Sequence, residues 1–331
     1  MPHRLRWRAL NDPSETKPEH AAARRRAIGL CLLVTFLWAT SWILIKIGFD
    51  DLDLRPISFA GLRYALAALI LAPFGLRAMR AAHGRGHLSV DASLAVRVVV
   101  LGVVFYAAAQ GAQFAALAVL PAAALGVLLA SIPVWVALVA WVRGEEAASL
   151  PQLAGIAVLV VGIGLYFGPI ELTAAGWGGV FAAAGCIAAS TASAHLSRDL
   201  NRDAQARLGG AVGLTAASMA IGAVVLLAVG LALEGWPALD ARGWAIIGWL
   251  AMVNTALAFT LYNGVLRILT AVESSVIINL LPVMVAAMAW LFLGEALGLL
   301  QVMGLVLAAG GAALVQVLGA RRRDPVTDER G

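Results

Sequence analysis

Ten stretches of roughly 20 apolar residues follow one another along this chain, separated by short polar breaks. Each is about long enough, at 1.5 Å rise per residue, to cross a hydrocarbon core of about 30 Å. The approximate spans are 28–49, 56–75, 96–116, 120–142, 151–168, 174–196, 209–232, 243–266, 272–293 and 298–319. Composition agrees, because 61% of the 331 residues are hydrophobic and only 13% charged, rarely seen in a water-soluble domain of this length. In hydrocarbon every backbone N–H and C=O needs a partner within the protein, which for such runs means helix. The expected fold is therefore an all-α integral membrane protein. The first span is about 22 residues long, follows a 27-residue polar tail and lacks an A-x-A site before Asp50, so it is expected to stay attached rather than act as a signal peptide. Residues 1–27 and 320–331, charged and proline-containing, read as disordered cytoplasmic tails.

Charge placement sets the expected orientation. With the N-terminus in the cytoplasm, 20 of the 24 lysines and arginines fall in cytoplasmic tails and loops, Arg55 and Arg242 fall outside, and Lys46 and Arg63 lie within spans. The positive-inside rule then places both termini in the cytoplasm of a multi-pass protein in the cell inner membrane, which an even number of spans requires. The net charge of +5 follows from this topology, so no nucleic-acid partner is inferred from it. Cys31 and Cys186 both fall inside spans and read as packing residues, with no disulfide framework or metal site. The chain has no H-E-x-x-H, G-x-S-x-G or Walker A motif, so neither an enzyme, nor a cofactor, nor direct use of ATP is expected.

Sliding the sequence against itself reveals a repeat at an offset of 149 residues. Pro133 pairs with Pro282, Trp141 with Trp290, Glu146 with Glu295, Leu150 with Leu299, Gln152 with Gln301, Gly155 with Gly304 and Gly162 with Gly311. The match is clear over the last two spans of each half and weak over the first three. A five-span unit repeated in tandem must insert its second copy upside down, so residues 28–168 and 174–319 are expected as two inverted five-helix repeats around a central cavity. Such halves are the mechanical basis of alternating access, which makes a transporter the leading expectation and a static scaffold or sensor the alternative.

Residues in both halves support a family assignment. "FLWATSWILIKIG", followed after a short loop by "RPISFAGLRYALAAL", resembles the opening of the drug/metabolite transporter superfamily, in particular its EamA type. In the second half Pro282, Gly294-Glu295 and Gln301 to Gly304 are similar to that family's Pro, Gly-Glu and Gln-x-x-Gly signs, so that the resemblance covers about residues 28–319. It implies ten helices in two inverted halves, a central cavity, and export of amino acids or other small metabolites. Thr40 stands where the family often has Gly or Ser. Membership does not identify a substrate. Partners are thus a small-molecule solute and the lipid bilayer, with a monomer plausible.

A charge at mid-membrane costs about 2.5 to 3.5 kcal/mol on insertion scales, so the ionisable residues inside spans are examined first. Arg63 lies about 4 Å from the midplane, and no other span carries a carboxylate at that depth. Its fork of donors suits a solute carboxylate or phosphate; the alternatives are snorkelling, carbonyl binding at a helix break, or an architectural arginine, which the resemblance also allows. Lys46 lies about 12 Å from the midplane, where its stem reaches the headgroups. Helical phase adds a second reading, because Thr35, Trp38, Trp42, Lys46 and Phe49 fall within an arc of about 80° that should face the bundle.

Tyr106, Gln110 and Gln113 share a face of the third span, and their repeat partners Thr255, Phe259 and Tyr262 share one in the eighth, beside Asn254. These read as cavity lining or as interhelical hydrogen bonding. Asn279 either joins them or satisfies carbonyls freed by Pro282. Glu146 and Glu295 read as helix-end or gate residues, Glu273 as a first-turn carboxylate or the partner of Arg267, and His195 as an interfacial residue without a function. The glycine pairs 155/162 and 304/311 signal close helix packing. The candidate solute-binding set is Arg63, Lys46, Trp38, Trp42, Tyr106, Gln110, Gln113, Asn254, Thr255, Tyr262 and Asn279. The first helix carries no deep carboxylate, so export of cationic drugs is the weaker transport reading.

Overall fold

The computed structural model describes residues 13–84, 91–145, 149–266 and 268–323. Ten helices are long and apolar enough to cross a membrane. They are α1 (Pro13–Leu52), α2 (Pro56–Gly84), α3 (Ala92–Val119), α4 (Ala122–Val142), α5 (Leu150–Phe167), α6 (Ala174–Arg207), α7 (Ala211–Glu234), α8 (Ala241–Val265), α9 (Ala271–Ile278 and Leu281–Leu293) and α10 (Leu299–Arg323). Ten crossings put both ends of the bundle on one side, here the terminal face, and the loop after α1 on the far face.

Two expectations for the tails are corrected. Helix α1 starts at Pro13, and α10 runs to Arg323. The segment entering the first span contains "AAARRR", residues of high helix propensity, and a helix already nucleated in lipid propagates into it at little cost.

Helix contacts follow the inverted repeat. Helix α1 packs on α8 and α9, and α6 packs on α3 and α4; α2 meets α8 as α7 meets α3. The pairs α2/α7, α4/α9 and α5/α10 each join a helix to its own counterpart. The symmetry extends to backbone irregularities. Helix α4 is interrupted at Ala130-Ser131 and α9 at Asn279-Leu280, just before Pro133 and Pro282, whose rings cannot donate to the turn below. Helices α3 and α8 widen into π-helix over Gly102–Ala109 and Leu250–Leu257, at corresponding places in the two halves. Periodicity does not announce these segments, which need one extra residue per turn inside an otherwise regular apolar run.

Helix ends are tied across the halves. At the far face the Glu234 carboxylate, closing α7, accepts from Ile57 N (3.0 Å), Ser58 N (2.7 Å) and Ser58 Oγ (2.9 Å) at the start of α2. Glu295, just past α9, accepts from Ala122 N (2.8 Å) and Ala123 N (3.2 Å) at the start of α4, in keeping with the helix-end reading. Each carboxylate meets orphan N–H groups at the positive end of a dipole. Glu146 and Arg267 lie outside the described residues. Glu273 closes a capping box with Thr270 and pairs with Arg24 of α1 at 2.5 Å, joining α1 to α9 at the terminal face. At the same face Arg207 meets Asp91, the N-cap of α3, at 2.6 Å.

The glycine pairs form the α5/α10 seam. A Cβ built on Gly162 stands 2.7 Å from Gly304 O and closer still to Ala308 N, and one on Gly311 stands 2.6 Å from Gly155 O. Nothing lies within 4 Å of a Cβ on Gly164, two residues further along α5. Gly162→Leu should therefore destabilise by roughly 1 to 3 kcal/mol or more through overpacking. Gly164→Leu should melt as wild type does, and thermal unfolding of the two purified variants in detergent checks the contrast.

Candidate functional site

The polar side chains of α1, α2, α3 and α8 meet near the middle of the bundle. Arg63 is 5% exposed, and its Nε donates to Thr255 Oγ1 on α8 at 3.1 Å. The Thr255 hydroxyl in turn donates at 2.8 Å to Leu250 O, five residues earlier. A π-helix brings that carbonyl within reach, so the anchor of Arg63 and the widened turn belong together. The guanidinium carbon lies 5.2 Å from the Tyr64 ring centroid and 5.8 Å from that of Phe114, a cation–π setting of about 1 to 2 kcal/mol in a desolvated place. Arg63 forms no ion pair among the described residues, and neither of its terminal nitrogens has a protein acceptor there. Carbonyl binding at a helix break is not what holds it.

Beside this arginine, Tyr64 donates to Gln110 Oε1 at 2.6 Å and its ring meets that of Tyr106 at 5.6 Å. Asn254, adjacent to Thr255 and fully buried, donates from Nδ2 to Thr40 Oγ1 at 2.8 Å and to Leu37 O. Its Oδ1 is buried without a partner among the described residues. Thr40 bonds Leu37 O at 2.7 Å and Ser41 bonds Trp38 O at 2.8 Å, so hydroxyls of the "WATSW" stretch saturate the backbone of α1 where α8 crosses it.

The stripe on α1 turns toward the bundle. Trp38 packs against Phe259 and Tyr262 of α8 at 5.7 and 5.4 Å, Trp42 and Thr35 are buried, and Phe49 meets Phe59 and Phe114 at 5.8 and 6.2 Å. Lys46 shares that side, is half-buried and bonds no described residue. Gln113 is half-buried and likewise unbonded among them.

Of the residues singled out in sequence, Arg63, Trp38, Tyr106, Gln110, Asn254, Thr255 and Tyr262 are linked by these contacts. Asn279 is not, because its Nδ2 donates to Gln316 Oε1 of α10 at 2.8 Å. That bond pins the break in α9 to its neighbour instead of satisfying the freed carbonyls. Two members were missed in the sequence. A buried tyrosine hydroxyl needs a partner, which applied to Tyr64 points to a polar residue of a neighbouring span, here Gln110. Phe114 carries no such signal, since an apolar span contains many aromatic rings of equal rank.

An inverted bundle with polar side chains gathered at midspan defines a membrane transporter architecture. Its lineage follows from comparison with known proteins. The model of the EamA-like transporter family matches residues 25–168 and again 176–317, once for each half, and the chain belongs to that family. No curated protein matches it. Among solved structures, one described as a crystal structure of a protein is 18% identical with a TM-score of 0.59, over 90% of this chain and 99% of the other; at that identity the likeness concerns the fold alone.

A buried charge with no countercharge among the described residues lowers stability, a cost that a binding role for Arg63 would account for. Replacing Arg63 by methionine removes that burden and keeps much of the stem's packing. Arg63→Met is expected to melt at or above the wild-type temperature in the absence of solute. A fall of several degrees would instead mark Arg63 as architectural.

Proposed function

We propose that this transporter exports a small anionic or zwitterionic metabolite, such as an amino acid, across the inner membrane by alternating access, with its termini in the cytoplasm. The observation that carries the reading is Arg63, buried at the crossing of α2 and α8 and anchored through Nε, with neither terminal nitrogen meeting an acceptor among the described residues. A carboxylate takes two parallel N–H bonds from such a fork. Asn254 and Gln110 add polar groups from α8 and α3, while Trp38, Tyr262 and Lys46 extend the lining along α1 and α8. The orientation is supported by the bias of lysine and arginine toward the terminal face, and export by the family resemblance.

Ligand-dependent melting of the purified protein tests this. A solute that binds the folded state alone stabilises it by about 2.7 kcal/mol at a hundred times its Kd. Carboxylated metabolites are expected to raise the melting temperature of wild type but not of Arg63→Ala, and wild-type proteoliposomes are expected to transport the same solutes. Stabilisation by lipophilic cations, unaffected by Arg63→Ala, would favour drug export. No shift across a broad metabolite panel would favour a scaffold or sensor.

A further inference from the structure

Three buried polar atoms near the terminal face have no hydrogen-bond partner among the described residues: Trp141 Nε1 on α4, and Thr191 Oγ1 and His195 Nε2 on α6. His195 is only 8% exposed and Thr191, one turn away on the same helix face, 6%. Helix α4 packs on α6. Glu145, four residues beyond Trp141, lies 3.7 Å from Arg198, three residues beyond His195. Trp141 and His195 thus stand at one level, about one turn deeper in the bundle than that ion pair. Leaving a buried polar group unmet costs about 1 to 3 kcal/mol, so three within about one helical turn of depth, on helices that pack together, favour an acceptor from outside the chain. An indole N–H, a hydroxyl and an imidazole with its proton on Nε2 all donate, and a carboxylate offers about four lone-pair sites to receive them.

The repeat gives this place a counterpart. Lys46 and His195 are separated by 149 residues, the offset that relates Pro133 to Pro282, and Trp42 corresponds likewise to Thr191. Packing agrees with the register to within one residue: Gly179 of α6 abuts Leu120, while Cys31 of α1, one residue beyond the counterpart of Gly179, clusters with Leu269, the residue 149 beyond Leu120. Lys46 and His195 therefore lie at corresponding depths on opposite sides of the midplane, with Arg63 between them.

We propose that Trp141, Thr191 and His195 form an anion subsite in the terminal half of the bundle, the counterpart of the Lys46 position. It holds the carboxylate of the solute between Arg63 and the terminal face. The choice of a carboxylated solute as its ligand rests on the proposed function; the existence of an anion site there does not.

Cysteine labelling tests the site without a known solute. Thr191→Cys is placed in a Cys31→Ala/Cys186→Ala protein in proteoliposomes and probed from the terminal face with two methanethiosulfonates of similar size, one bearing a sulfonate and one a trimethylammonium group. The anionic reagent is expected to react roughly tenfold faster than its cationic analogue, relative to their rates with a free thiol. Adding His195→Ala should remove most of that preference. No reaction from either face, or a preference that His195→Ala leaves unchanged, overturns the proposal. Should Thr191→Cys fail to fold, Trp141→Cys is read with the same outcomes. Arg63→Ala should abolish solute-dependent melting while keeping the labelling preference, so failure at one site is distinguishable from failure at the other.

Discussion

Hydrocarbon offers no hydrogen-bond partner, and this constraint organises the whole bundle. Each departure from regular α-helix frees backbone groups that only the protein can satisfy. The departures occur where the halves meet. The π-helix of α8 receives Thr255 on its own Leu250 carbonyl, the middle of α1 is saturated by Thr40, Ser41 and Asn254, and the break in α9 is pinned through Asn279 to Gln316. Helix ends obey the same demand, with Glu234 and Glu295 of the second half meeting the first N–H groups of α2 and α4. The residues that satisfy the backbone are thus largely those that join one repeat to the other.

The scaffold is symmetric while its chemistry is not. Tyr106 and Thr255 stand at equivalent places on α3 and α8, yet one presents an aromatic edge to Tyr64 and the other a hydroxyl to Arg63. Gln110 and Phe259 are likewise paired by the repeat, but Gln110 accepts from Tyr64 whereas Phe259 packs on Trp38. Equivalent backbones are what the proposed exchange of shapes between the halves requires, and unequal side chains gather polar groups around a single arginine.

The ten spans, the inverted halves and the glycine seam were legible in the sequence, because each rests on a pattern that lipid enforces: run length, odd repeat units and small residues seven apart. The inward turn of Trp38 and Trp42 followed from helical phase. The π-helices were not legible, since an extra residue per turn leaves an apolar run apolar. Nor was the helical start at Pro13, where charge and proline suggested disorder while local propensity favoured helix. The partner of Asn279 was not legible either, because proximity to Pro282 in sequence says nothing of Gln316, 37 residues away. His195 was set aside on depth alone, and only its burial beside Thr191 gives it weight.

Where the bundle can change shape follows from how its helix pairs touch. Along α5/α10 backbone meets backbone through glycines, and α2/α7 is similarly close, with Gly61 and Gly230 each leaving 2.6 Å between an added Cβ and the facing chain. Interfaces so tight have few alternative arrangements. The π-helices and the breaks before proline among the described residues lie in α3, α8, α4 and α9, as matched pairs. Under the proposed alternating access, these four helices are where the bundle has irregular backbone able to yield. Two of them, α3 and α8, carry Gln110, Asn254 and Thr255 around Arg63, so a solute held by the arginine, as proposed, would bear directly on the π-helical segments.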